Sequence, residues 1–321
     1  MAAWRWQWFA RRCNPPRPVE GLLPWTRCSR SGALDTRAMN RAHAGSPATG
    51  EQMGLEAQMP KDIKVDHVSY EYSTEQGRVL AVKDVSFALA ESGFLCIVGP
   101  SGCGKTTILN ILAGFLRPTQ GSVLIEGAPL GGGGENQGVV FQDFAQLFPW
   151  RTVQRNVEFG LEMRKVNRKA RAQAATRYLN MVHLGNFANA YPHQLSGGMQ
   201  QRAAIARALA YNPSVLLMDE PFAALDAMTR DEMQRMLYEI WRDTKKTIVY
   251  ITHNVAEAVY LADDVLVMAP HPGAVKAHLS IAMARPRDPL SADFIEIQKK
   301  ILDMLGATPA RKETNHAESS S

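Results

Sequence analysis

The sequence predicts an α/β protein built on a mostly parallel sheet, and three observations carry that reading. The apolar runs FLCIVG, SVLLMDEP and TIVYITH (residues 94–99, 214–221 and 247–253) read as strands buried on both faces. Segments of helical spacing alternate with them, as helices covering both faces of a sheet require. The glycine-rich stretch 99–107 lies between the first buried strand and a helix, the junction where such sheets bind ligands.

Each element can be justified in order. Residues 1–60 hold four of the six tryptophans, eight arginines, four acids and no apolar periodicity. WRWQWFARR is too short and too charged for a secretory core. We read the segment as a disordered tail or an over-extended start, with Met39, Met53 or Met59 as the beginning, rather than a membrane-surface anchor. From residue 61, alternation in IKVDHVSYEY and VLAVKDVSFAL predicts two half-buried antiparallel strands with a turn near Gln76-Gly77. GSVLIEG and GVVFQ are short strands, separated by the flexible run Gly131–Gly134. Residues 152–190 take helical spacing, with Arg and Lys between 151 and 177 expected on a solvated face. GGMQQRAAIARALAYN is an Ala-rich helix closed by Asn212-Pro213. Met233, Met236, Leu237, Ile240 and Trp241 form one core-facing stripe on the next helix. VAEAVYLA reads as a helix and DVLVMAP as a strand, after which the last thirty or so residues are expected to lose the pattern.

Composition removes several functions. The chain has 321 residues, 45% hydrophobic, which excludes wholesale disorder. No apolar run approaches the ~18 residues a bilayer span needs. Cys13, Cys28, Cys96 and Cys103 are too few and scattered for a disulfide scaffold or a zinc site. The net charge of +5 resides almost wholly in the first sixty residues, leaving 28 basic and 27 acidic residues elsewhere. That near-neutral body has no basic excess for nucleic acid.

Chemistry concentrates in a few motifs. Gly99, Pro100, Ser101, Gly102, Cys103, Gly104, Lys105, Thr106 and Thr107 fit the G-x-x-x-x-G-K-[ST] phosphate loop. Its glycines let the backbone curl around an anion, and the helix start adds partial positive charge. Lys105 is placed to reach the β- and γ-phosphates, Thr106 to ligate Mg²⁺, and Thr107 to flank the α-phosphate. Cys103, near that helix start, is expected to have a lowered thiol pKa. The strand ending at Asp219 and Glu220 delivers two carboxylates to its carboxyl end, one for Mg²⁺ and one to polarise the attacking water. These two motifs alone allow a GTPase, a RecA-like motor, a kinase or a transporter ATPase.

LSGGMQQR, residues 195–202, decides among them. With it, residues 61–287 resemble the ATP-binding cassette family, in the order phosphate loop, Gln142, LSGG, DE, Asp226, His253. The resemblance implies a P-loop NTPase with a RecA-like core, an antiparallel β subdomain and an α-helical subdomain inserted at about 143–200. A C-terminal extension and polar tail would occupy 288–321. It implies ATP and Mg²⁺ as ligands, with Thr106, Gln142 and Asp219 around the metal. Tyr72 resembles the aromatic that stacks on adenine, and an edge-strand core residue is its bland alternative. Gln142 resembles the glutamine at the metal and attacking water. Ser196, Gly197 and Gly198 resemble a second anion nest that serves ATP bound to a partner subunit. Asp226 resembles the loop touching the partner's nucleotide site, and His253 the histidine that contacts the γ-phosphate and orients Glu220. Met199 departs from the family, which usually has Gln there. Catalysis then needs a head-to-tail homodimer, with Glu220 as base and Lys105, Gln142 and His253 supporting the transition state.

LFPW (147–150), MDEPFAALDAMTRDEMQ and AEAVYLADDVLVMAPHPG look like the importer ATPases of the nitrate, sulfonate and taurine group. Those work at the cytoplasmic face of the membrane with a permease and, indirectly, a periplasmic solute-binding protein. The alternative is a cassette ATPase without a transporter, in DNA repair or translation. Leu147, Phe148 and Trp150 are expected either to line a groove for the permease or, in Trp150's case, to staple the following helix.

Overall fold

The computed structural model describes residues 61–306 apart from residue 76, 131–135 and 143–145. The expected N-terminal tail, the Gly131–Gly134 run, Gln76 of the first turn and the final polar tail lie outside the described residues. Two sheets organise the chain. The first is antiparallel, in the order β2-β1-β4-β5, from β1 (Lys61–Thr74), β2 (Gly77–Ala90), β4 (Gln120–Ile125) and β5 (Ala128–Pro129). The second has six strands in the order β10-β9-β3-β8-β7-β6. Its members are β3 (Phe94–Val98), β6 (Gln137–Val140), β7 (Val215–Asp219), β8 (Thr247–Thr252), β9 (Asp264–Ala269) and β10 (Ala274–Ser280). All its pairs are parallel except β10 on β9.

Every residue of β3, β7 and β8 is buried, which is why these strands read as continuous apolar runs. Side chains alternate between two cores. Phe94, Cys96, Leu216, Met218, Ile248 and Tyr250 face one core. Leu95, Ile97, Val215, Leu217, Val249 and Ile251 face the other. The second core is closed by α1 (Lys105–Leu112) and the antiparallel sheet. The first is closed by α2 (Val153–Met163), α3 (Arg168–Met181), α4 (Gly197–Ala210), α5 (Ala227–Thr244), α6 (Val255–Leu261) and α7 (Ala292–Leu305).

The α5 stripe is as expected for Met233, Met236, Leu237 and Ile240, all buried, whereas Trp241 stays half-buried at the edge. Its indole nitrogen donates to Ser92 O at 2.9 Å.

Two expectations need correction. The pattern does not lapse near the C-terminus. Ser291 caps α7, its hydroxyl accepting from Phe294 N, and Gly306 closes the helix in the left-handed conformation. Between them Phe294 and Ile301 enter the first core. Arg287 is buried and donates to Val259 O and Ala262 O, each at 2.6 Å, so the segment leading to α7 is tied to the end of α6. Burial lowers that guanidinium to about 10.

The basic residues after 150 do not all form a solvated face. Glu158 is buried, with Arg155 at 3.0 Å and Arg171 of α3 at 3.5 Å. Arg151 pairs with Glu162 at 2.7 Å and lies over the Phe159 ring. A carboxylate taken out of water needs such partners, and here they join α2 to α3.

Candidate active site

Parallel strands place their carboxyl ends on one edge. Val98 pairs with Thr252, Asp219 with Ile251, and Val140 with Met218. The residues just beyond those ends therefore line up across β3, β8, β7 and β6. They are Gly99 of the phosphate loop, His253, Asp219 with Glu220, and Gln142. Four segments far apart in sequence converge because the strand order interleaves them.

The loop itself is set by its glycines. Gly102 and Gly104 have φ of 78° and 87°, a backbone that L side chains rarely adopt. Gly104 is the cap of α1, so the loop runs straight into the helix start. Lys105 is buried, and its ammonium donates to Gly99 O at 2.8 Å and Pro100 O at 3.0 Å. The Thr106 hydroxyl is 3.4 Å from Asp219 Oδ1, joining the two motifs. Tyr72 Oη lies 3.3 Å from Thr107 Oγ1, which sets the ring beside the loop's far end. That ring is 38% exposed and edge-on to Tyr70, so it is not a core residue of its strand. Pro100 and Ser101 are exposed on the loop's rim.

Glu220 departs from the strand at once. Its φ is 44°, a left-handed conformation unusual for Glu, while its N–H still donates to Ile251 O at 3.0 Å. This turn swings the carboxylate to 3.0 Å from His253 Nδ1. His253 is exposed and Glu220 half-buried, so both present polar atoms at the surface of the edge. Gln142 is also exposed there, two residues beyond β6.

A second group gathers where α4 and α5 begin. Ser196 caps α4, its hydroxyl accepting from Met199 N at 3.3 Å. Asp226 caps α5, accepting from Thr229 N at 3.0 Å, and this bond lowers its pKa. The two starts touch: a Cβ on Gly198 would come within 2.8 Å of Thr229 Cγ2. Ser196 and Gly197 are exposed, and a cavity of about 280 Å³ opens beside them. Met199 contributes its backbone N–H to the cap and packs its side chain on the core, so the cap is indifferent to Gln or Met there.

Cys103 reverses the expectation made for it. Its side chain is fully buried, and burial raises the thiol pKa against the opposing pull of Lys105. Two residues escaped sequence reasoning. Asn156, wholly buried, accepts from Phe148 N at 2.7 Å and donates to Phe148 O, Arg151 O and Thr152 O, all at 3.1 Å. Glu257, also buried, accepts from Tyr250 and Thr252. Nothing in a helical spacing marks either one, because their partners come from loops and a neighbouring strand.

A phosphate loop, an acidic strand end and a carboxylate–histidine pair on one edge define a nucleotide-hydrolysing α/β protein. Residues 82–223 match the family model described as ABC transporter. An uncharacterized ABC transporter ATP-binding protein of Methanocaldococcus jannaschii is 48% identical over 77% of this chain and 92% of its own length. The taurine import ATP-binding protein of Pelagibacter ubique is 45% identical, over 74% of this chain and 89% of its own. Among solved structures, a dimeric ATP-binding cassette in a post-hydrolysis state with ADP and Pi matches with a TM-score of 0.61. It is 33% identical and covers 69% of this chain and 100% of that one. A component of the cbiONQ ABC transporter complex from Clostridium perfringens matches at 0.65, with 27% identity over 77% and 96%. The chain belongs to the ATP-binding protein family of ABC transporters, and it is an ATP-binding ATPase. No described helix is long and apolar enough to cross a membrane.

Proposed function

We propose that the chain is the energy-coupling ATPase of an importer for a small solute of the taurine, sulfonate or nitrate class. It works as a head-to-tail homodimer on permease subunits at the cytoplasmic face of the membrane, with a solute-binding protein delivering cargo from outside. The Glu220–His253 pair, set beside the phosphate loop, is the observation that carries the catalytic part. The taurine import proteins among its relatives support the transport part.

The chemistry follows from placement. Lys105 and the loop amides hold the β- and γ-phosphates, and Tyr72 offers its exposed ring to the base. Thr106 and Asp219 supply a hydroxyl and a carboxylate, an all-oxygen set that suits Mg²⁺. No cluster of three His, Cys, Asp or Glu that could hold a metal exists among the described residues, and Mg²⁺ commonly takes its other ligands from phosphate and water. When bound, the metal neutralises phosphate charge. Glu220 takes a proton from the attacking water, His253 keeps that carboxylate oriented, and Gln142 faces the same water. The partner's Ser196–Gly198 nest and Asp226 close over the γ-phosphate, which explains why these residues group apart from the phosphate loop.

Reconstitution with permease subunits in lipid vesicles tests the proposal. Hydrolysis should rise when the solute-loaded binding protein is added, and solute should accumulate inside. Turnover that ignores the permease and binding protein would overturn it.

A further inference from the structure

The buried carboxylate of Glu257 on α6 joins two loops of the site. One oxygen, Oε2, accepts from Thr252 Oγ1 at 2.7 Å and Tyr250 Oη at 3.0 Å. Thr252 is the last residue of β8, directly before His253. Its hydroxyl also accepts from Asn254 N at 3.0 Å, so the backbone on both sides of His253 is held. The other oxygen, Oε1, is 3.6 Å from Arg230 Nε. Arg230 in the first turn of α5 donates in turn to Leu225 O at 2.8 Å, the carbonyl directly before Asp226. A single carboxylate thus holds the His253 loop by hydrogen bonds through one oxygen and, through the other, lies in charge contact at 3.6 Å with the arginine that holds the Asp226 loop.

Stability alone gives a poor account of this arrangement. Burying an ion pair is commonly no better than filling the same space with apolar side chains. Such a pair makes sense where two elements must move together, since removing Arg230 leaves the buried Glu257 carboxylate without its counter-charge. We propose that Glu257 and Arg230 are positioning residues that couple the Glu220–His253 edge of one nucleotide site to Asp226, and so to the site of the partner copy. This rests on the homodimer reading given above.

The test uses the full chain with Glu257→Gln, Arg230→Gln and the double variant, beside Glu220→Gln as a reference. ATP affinity, the melting temperature, turnover and the Hill coefficient for ATP are read for each. Affinity should stay within about twofold, because neither residue touches the phosphate loop. Turnover should fall about tenfold or more and the Hill coefficient drop towards one. The double variant should lose little beyond either single, as expected of residues acting as one unit. A lower melting temperature with turnover per folded protein and Hill coefficient unchanged would mean a merely structural pair and overturn the proposal. Should Glu257→Gln fail to fold, Arg230→Gln decides by the same two readouts, its side chain being 29% exposed. Undiminished turnover in Glu220→Gln would sink the assignment of the base alone, since coupling is read from the Hill coefficients of the other variants.

Discussion

His253 Nδ1 lies 3.0 Å from Glu220 Oε2, and the left-handed turn at Glu220 is what brings the carboxylate there. A carboxylate oriented by an imidazole, at the edge that carries the phosphate loop, has the geometry of a general base.

Glu220→Gln should therefore bind ATP normally and turn over about 10²–10⁴-fold more slowly. Phosphate release and nucleotide binding, measured on the same preparation, check this. Unchanged phosphate release would remove Glu220 from the chemistry.

Ser196 caps α4 and is also assigned to the partner's γ-phosphate, and the two roles can be separated. Asn and Asp cap a helix about as well as Ser, so Ser196→Asp should keep the melting temperature within a few degrees. The added negative charge should abolish turnover by repelling phosphate, at least about 100-fold. Hydrolysis rates across a protein dilution series should fall faster than linearly in the wild type. Full activity of Ser196→Asp, or strict proportionality on dilution, would contradict the dimer.

Trp150 is 62% exposed, while Phe148 meets Phe159 edge-on at 4.7 Å. Phe148 thus packs on α2, and Trp150, its ring 5.5 Å from that of Phe148, presents its other side outward from a loop that Asn156 holds. Trp150→Ala should change stability by less than about 0.5 kcal/mol yet reduce co-purification with the permease. Phe148→Ala should cost about 2 kcal/mol of stability, seen in denaturant melts. Undiminished permease recovery with Trp150→Ala would count against its docking role.

The raised thiol pKa of Cys103 sets a pH window. Only the thiolate is nucleophilic, and the protonated form persists above the ordinary value of about 8.5. Alkylation should be slow at pH 7.5, accelerate above pH 9, and be suppressed by bound ATP. Mass-spectrometric labelling rates across pH would show this, and fast labelling at neutral pH would contradict burial as the dominant influence.

Much of the fold was legible because doubly buried strands announce themselves as uninterrupted apolar runs, as in Val215–Asp219. The phosphate loop was equally plain, since its glycines, lysine and threonine occupy a fixed spacing. What was illegible has physical causes. Half of α7 is solvent-facing and polar, which diluted the Phe294, Ile297 and Ile301 stripe although Ser291 and Gly306 mark its ends. Glu257 sat unnoticed within an apolar helix, because burial of a carboxylate depends on Tyr250, Thr252 and Arg230 arriving through tertiary structure. For Cys103, proximity to Lys105 and a helix start was visible, whereas the desolvation that outweighs both was not.

The lysine of the phosphate loop is not idle: Gly99 and Pro100 share its ammonium between their carbonyl oxygens. An arriving nucleotide must outcompete two neutral acceptors for that cation, which it can do only by extending formal negative charge to where the ammonium sits. A nucleoside monophosphate, with its single charged group, should therefore bind far more weakly than a di- or triphosphate. On that account the lysine's resting contacts set a threshold of charge that a ligand has to exceed.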